Sequence, residues 1–203
     1  MGVRLVLVAI SDATLDRIAA DPPLIWRLLD PENPASYLEE LRRRSLRGRN
    51  ILVRLFGRPP KESAPSPPVP ALPLADIEGQ ARDLDKAADS LHFLLTHAAP
   101  DRRVLGFLQE GGAPAGDVEV SYDGPAIAFR SAQAREIAEA LRALPRAALE
   151  AAFDPPAMKR IYPWYPGVPR PEDLAYLIEY FGVATQFIER VVAHGLGFLR
   201  YPT

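Results

Sequence analysis

The chain has 203 residues, 48% of them hydrophobic and 25% charged, with a formal net charge of −2 and no cysteine. These are ordinary values for one globular domain with a sizeable core, and the near-zero charge gives no global pull towards nucleic acid. Without cysteine there can be no disulfides, thiolate metal sites or cysteine nucleophiles, and a reducing, cytoplasmic setting fits.

The first apolar run, Val3 to Ile10, reads as a buried strand. It is too short for the ~20 residues a bilayer needs, Arg4 interrupts it, and it lacks the cleavage site of an export signal. Met1-Gly2 is not a myristoylation signal, because Val6 stands where Ser or Thr is wanted. The chain is therefore expected to be soluble, with no membrane partner. Ser11 or Asp12 can cap a helix that carries Leu15 and Ile18 on one side. A second helix follows Pro22-Pro23 with Leu24, Ile25, Leu28 and Leu29. A third runs from about Ala35 to Arg47, anchored by Tyr37, Leu38 and Leu41. Ile51 to Phe56 is a second strand candidate.

From Arg42 to Arg58 there are seven arginines and no acid. Such a patch could hold nucleic-acid phosphate or an acidic protein. However, Glu39 and Glu40 lie just ahead of it, no nucleic-acid module is recognisable, and aromatics are not interleaved. A solvated basic face is the favoured reading. Seven prolines between Arg58 and Pro73 exclude a helix or a central strand, so about 58–75 reads as an excursion of partly polyproline II character. A PxxP-type partner site is the functional alternative to a plain inserted loop.

Beyond it the helical patterns strengthen. Asp83 to His97 is expected as a helix, and Arg102 to Leu108 as another, ended by Gly111-Gly112. Val118 to Tyr122 and Ala126 to Phe129 flank Asp123-Gly124, which reads as a hairpin turn. Ser131 caps a helix to Leu144, and Pro145 opens a shorter one ending near Phe153. Pro171 sits in the first turn of a long helix closed by Gly195, with His194 as a cap, and Gly197 to Tyr201 is a last strand. Helices outnumber strands without regular alternation. The expected class is α+β, a helix-rich single domain around a small mixed or antiparallel sheet.

On a helical wheel over 83–97, Leu84, Ala87, Ala88, Leu91, Leu95 and Ala98 form one apolar stripe. Asp85, Asp89, His92 and Thr96 form a polar stripe beside it. Two carboxylates and an imidazole on one face are what acid/base chemistry would need, with His92 oriented by Asp85 or Asp89. The same pattern also makes a surface helix with a half-buried histidine. Tyr162-Pro-Trp-Tyr-Pro-Gly167 is the densest aromatic cluster. Its rings Tyr162, Trp164 and Tyr165 either cap the core or meet a ligand or partner. The final helix is apolar on more than one side, so it is either central to the core or shared with another copy in a homo-oligomer.

No Gly-x-Ser-x-Gly elbow, P-loop, dinucleotide fingerprint or His-Glu-x-x-His is present. Nothing calls for a metal or cofactor, and no catalytic residue is assigned.

Asp83, Asp85, Lys86, Leu91, His92, Leu95 and Thr96 form a block that resembles the best-kept segment of the YfbM-like family. Tyr122-Asp-Gly-Pro125 ahead of the helix from Ser131, then Ile161-Tyr162-Pro163, then the long final helix and closing strand match in the same order. The resemblance covers about 80–201 and extends to the first strand. Ala88, where many relatives carry an aromatic residue, and the proline-rich stretch depart from it. It implies a bacterial, cytosolic α+β domain and transfers no catalytic residues, because the family has no established activity. The expected function is a binding or accessory module that recognises a protein or small ligand near Asp85, His92 and Tyr162. The alternatives are an enzyme using His92 and weak nucleic-acid binding through Arg42–Arg58.

Overall fold

The strand β1 (Leu5–Ile10) is buried along its whole length, as a continuous aliphatic run must be when both faces of its sheet are covered. The computed structural model describes residues 4–33, 35–44, 69–121, 123–161, 163–164 and 167–203. The proposed strand at 51–56 and most of the proline-rich excursion lie outside these. Beside β1 runs the last strand, β5 (Gly197–Pro202), antiparallel, with Leu5 opposite Pro202 and Ile10 opposite Gly197. The sheet is completed by β2 (Ala81–Asp83), β3 (Ala113–Pro114) and β4 (Ile127–Phe129) in the order β2-β1-β5-β4-β3, with every pairing antiparallel.

The two faces of β1 feed two separate cores. Val6, Val8 and Ile10 point with Leu199 to one side, where α1 (Asp12–Ala20), α2 (Ile25–Leu29) and α3 (35–44) contribute Leu15, Ile18, Ile25, Leu28 and Tyr37. Leu5, Leu7 and Ala9 point with Phe198 to the other side. That side is covered by α4 (Ala88–Ala98), α5 (Ser131–Arg142), α6 (Arg146–Ala152), α7 (Pro155–Met158) and α8 (Asp173–Ala193). Phe198 is the hub of this larger core. It stacks on Phe129 at 4.6 Å and meets Phe107 and Phe187 edge-on at 6.0 and 6.4 Å. The result is an α+β domain, as the pattern of elements predicts.

Local caps tie the layers together. The Ser11 hydroxyl accepts from Thr14 N at 3.0 Å at the start of α1. The Asp12 carboxylate then reaches across to accept from Ser131 N and Ser131 Oγ, at 3.0 and 2.8 Å, at the start of α5. A carboxylate at that end also complements the helix dipole. His194 is the C-cap of α8, and α8 buries Leu177, Ala184, Phe187, Ile188 and Val191. This is the central position offered by one of the two readings of its broad apolar surface.

Three expectations are corrected. The helix expected from Asp83 begins only at Ala88: Ala81–Asp83 forms edge strand β2, and a 3-10 turn follows at Asp85–Ala87. Leu84 N donates to Leu5 O, and Asp85 takes φ +48, a conformation tolerated by aspartate but incompatible with a right-handed helix. The segment expected as a helix over Arg102–Leu108 is a 3-10 turn at Arg103–Gly106. Of the strand expected at Val118–Tyr122, Val118 to Val120 are loop, and Tyr122 lies outside the described residues. β4 pairs instead with Ala113–Pro114, and Val118 is apolar because it plugs the smaller core. The turn signal at Asp123-Gly124 survives as a single bridge between Ser121 and Gly124.

Two glycines make opposite predictions. A Cβ at Gly197 would lie 2.1 Å from the Phe129 carbonyl oxygen, whereas one at Gly182, inside α8, would meet nothing within 4 Å. Gly182→Ala is expected to stabilise by about 0.5–1 kcal/mol. Gly197→Ala is expected to be strongly destabilising. Urea unfolding followed by circular dichroism checks both, and equal effects would contradict the close β4–β5 approach.

Candidate functional site

The late start of α4 disperses the polar stripe. Asp85 sits ahead of the helix, accepts a 3.3 Å hydrogen bond from Tyr176 Oη, and lies 3.5 Å from Arg4 Nε. Burial and this carboxylate raise the Tyr176 phenol well above its ordinary value. Asp85 therefore ties the chain's start to α8. Thr96 donates its hydroxyl back to the His92 and Phe93 carbonyls at 2.8 and 3.2 Å, so it serves its own helix.

Asp89 and His92 do remain on one side of α4. Asp89 accepts from Gln109 Nε2 at 2.9 Å, and His92 Nε2 lies 4.0 Å from a Glu110 oxygen. The His92 side chain is only 15% exposed. Burial pushes its imidazole below the ordinary value, with the Glu110 carboxylate opposing that shift. The ring lies in a largely buried setting, without a carboxylate in hydrogen-bond contact among the described residues.

Trp164 packs against the larger core and donates Nε1 to Ser90 Oγ at 2.6 Å. It has the capping role that its prolines and aromatic body suggest. Tyr162 and Tyr165 lie outside the described residues. Of the arginine patch, Arg43 and Arg44 are described in detail: both pair with Glu40, and they reach Glu119 and Asp117 respectively. Arg47, Arg49, Arg54 and Arg58 lie outside the described residues.

Sequence reasoning missed Arg200. In β5 it falls on the same face as Phe198 and opposite to Leu199, and it is only 8% exposed. Its Nη1 donates to Phe107 O at 2.6 Å and Glu110 O at 3.2 Å, and its guanidinium lies 5.6 Å from the Phe129 ring centre. Among the described residues no carboxylate pairs with it, and burial pushes its pKa below the ordinary arginine value. The available signal was parity. A strand covered on both faces has no solvent side, so an arginine within it must be buried.

Arg200 forms part of a cleft of about 410 Å³ whose polar lining also includes Lys86, Asp89, Gln109 and Asp123. Leu5, Leu108 and Ile127 supply apolar wall. A larger cleft of about 690 Å³ lies between β2 and α8, lined by Arg82, Asp83, Glu179 and Tyr180 among others. Its charged members are surface side chains. The smaller cleft is the stronger candidate because it holds a buried charge without an acidic partner among the described residues. Among the described residues no group of three or more His, Asp or Glu side chains could hold a metal ion. No helix among them is long and apolar enough to cross a membrane.

The sequence model of a family described as "Domain of unknown function (DUF1877)" matches residues 1–201. The chain belongs to this DUF1877 family. A crystal structure of a protein of unknown function, YfbM from Escherichia coli, is similar over 98% of this chain and 99% of that one, with a TM-score of 0.53 and 14% identity. At that identity the likeness supports the shared fold of the DUF1877 chain alone. No curated protein matches.

The depressed His92 imidazole has a consequence for stability. Charges facing it are Glu110 and Asp89, which favour its protonation, and Arg200, which opposes it. The unfolded chain takes the proton first, so the stabilisation is full above the unfolded value of about 6.5 and declines as pH falls below it. His92→Gln is expected to flatten the stability profile between about pH 7 and 5. Urea midpoints across that range check this, and an unchanged slope contradicts it.

Proposed function

We propose that the protein is a non-enzymatic, cytosolic bacterial binding module that takes a small ligand in the cleft between the start of α4, β4 and the end of β5. One observation supports this most. A ligand-sized cleft brings both signs of charge together with apolar wall, as orienting polar groups and an apolar body require. The alternative of an enzyme using His92 has in its favour an imidazole whose protonation burial disfavours. Against it, His92 is not among the residues lining this cleft, and Asp85 is tied to Tyr176 and Arg4 away from it. Arg43 and Arg44 already have acidic partners within the chain, which reduces what the arginine patch can offer nucleic acid.

Gln109 is an exposed residue on the cleft wall, so Gln109→Trp should obstruct the cleft without disturbing the core. A mixed set of small polar molecules is expected to shift backbone amide signals around Lys86, Asp89 and Asp123 in the native chain. In Gln109→Trp those shifts should fall at least about tenfold, with stability changed by no more than about 0.5 kcal/mol. Shifts that cluster elsewhere, or that survive the substitution, would refute the assignment.

A further inference from the structure

We infer that the cleft receives a small organic carboxylate with a short apolar body, its anionic end paired with the Arg200 guanidinium. This rests on the small-ligand reading above and names its ligand class. Arg200 is 8% exposed, and a cation taken that far from water is costly unless it is paired. The protein pairs it only in part. Nη1 has the Phe107 and Glu110 carbonyls, while Nε and Nη2 make no hydrogen bond among the described residues, and Arg200 lines the cleft.

Asp89 accepts from Gln109, and the Glu110 carboxylate lies towards His92. Phe129 beneath the guanidinium restricts its orientation. A planar carboxylate matches two parallel N–H donors on such a fork. The charges lining the cleft balance, with Lys86 and Arg200 against Asp89 and Asp123. That balance favours a monoanion over a phosphate dianion, which would meet two carboxylates on entry. Leu5, Leu108 and Ile127 then cover an alkyl chain.

A purely structural Arg200 would tie the 107–110 turn to the sheet and nothing more, and the experiment separates the two roles. The full chain is titrated at constant ionic strength with acetate, butanoate, hexanoate, hexanol and inorganic phosphate, following the Arg200 Nε–Hε signal and the backbone amides. Hexanoate is expected to move the Arg200 signal, and affinity should rise about fourfold per added methylene. Arg200→Met should still fold, because an apolar chain of similar length replaces a buried cation. It should bind hexanoate at least about tenfold more weakly. If Arg200→Met does not fold, Arg200→Lys keeps the charge but loses the fork, and the same weakening is expected.

Phosphate binding more tightly than hexanoate overturns the inference, as does undiminished hexanoate binding by the folded variant. If hexanol shifts the cleft amides as strongly as hexanoate in both native and variant chains, the carboxylate assignment falls and the cleft remains a site. If no probe shifts any cleft amide, both readings fall.

Discussion

The pairing of the first strand with the last is the constraint on which the rest of this molecule depends. Six residues of β1 lie opposite six of β5 in unbroken antiparallel register. Both strands then extend the sheet outward, β1 to β2 and β5 to β4. Each face of that central pair seeds one core, so neither helical layer can pack fully until the two ends of the chain have met. Contacts at such sequence separation form late and carry a high loop-closure cost.

The same pairing explains how a charge comes to be buried. Along β5, Phe198 enters the larger core, Arg200 falls on the same face by register, and Leu199 faces the smaller core. Phe198 closes the larger core with three aromatic contacts. Two residues on, Arg200 lies beyond that aromatic cluster, where the start of α4 and the approach to β4 leave a cleft. The sheet thus holds the guanidinium on a rigid strand, and Phe107 O, Glu110 O and the Phe129 ring set its direction. A group so preorganised loses little freedom when a ligand arrives.

Much of the fold could be read in the residues. The aliphatic run of β1, the Ser11 cap, helices α5 and α8 and the closing strand all follow from local pattern and turn chemistry, although the N-cap of α5 is Arg130 rather than Ser131 and α8 begins at Asp173, two residues past Pro171. What was hidden is tertiary in origin. Ala81-Arg82-Asp83 has no strand pattern and becomes β2 because β1 offers an open edge. Gly112 lets the chain approach β4 more closely than a Cβ would permit, which moves the pairing from Val118–Tyr122 to Ala113–Pro114. At the candidate site, the four-three-four spacing correctly placed Asp89 and His92 on one side of α4. It failed for Asp85, whose positive φ breaks the helix. Arg200 stayed hidden because a lone arginine in a strand looks solvent-facing until both faces of that strand are known to be covered.

The account turns on the Arg200 guanidinium, which the described residues compensate only in part, and a crystal structure of the full chain soaked with hexanoate tests it most directly. The account predicts carboxylate density on Arg200 Nε and Nη2, at hydrogen-bond distances of about 2.7–2.9 Å, with the alkyl chain against Leu108 and Ile127. A guanidinium that turns away to pair with Asp89 or Glu110, leaving the cleft without the carboxylate, would contradict it.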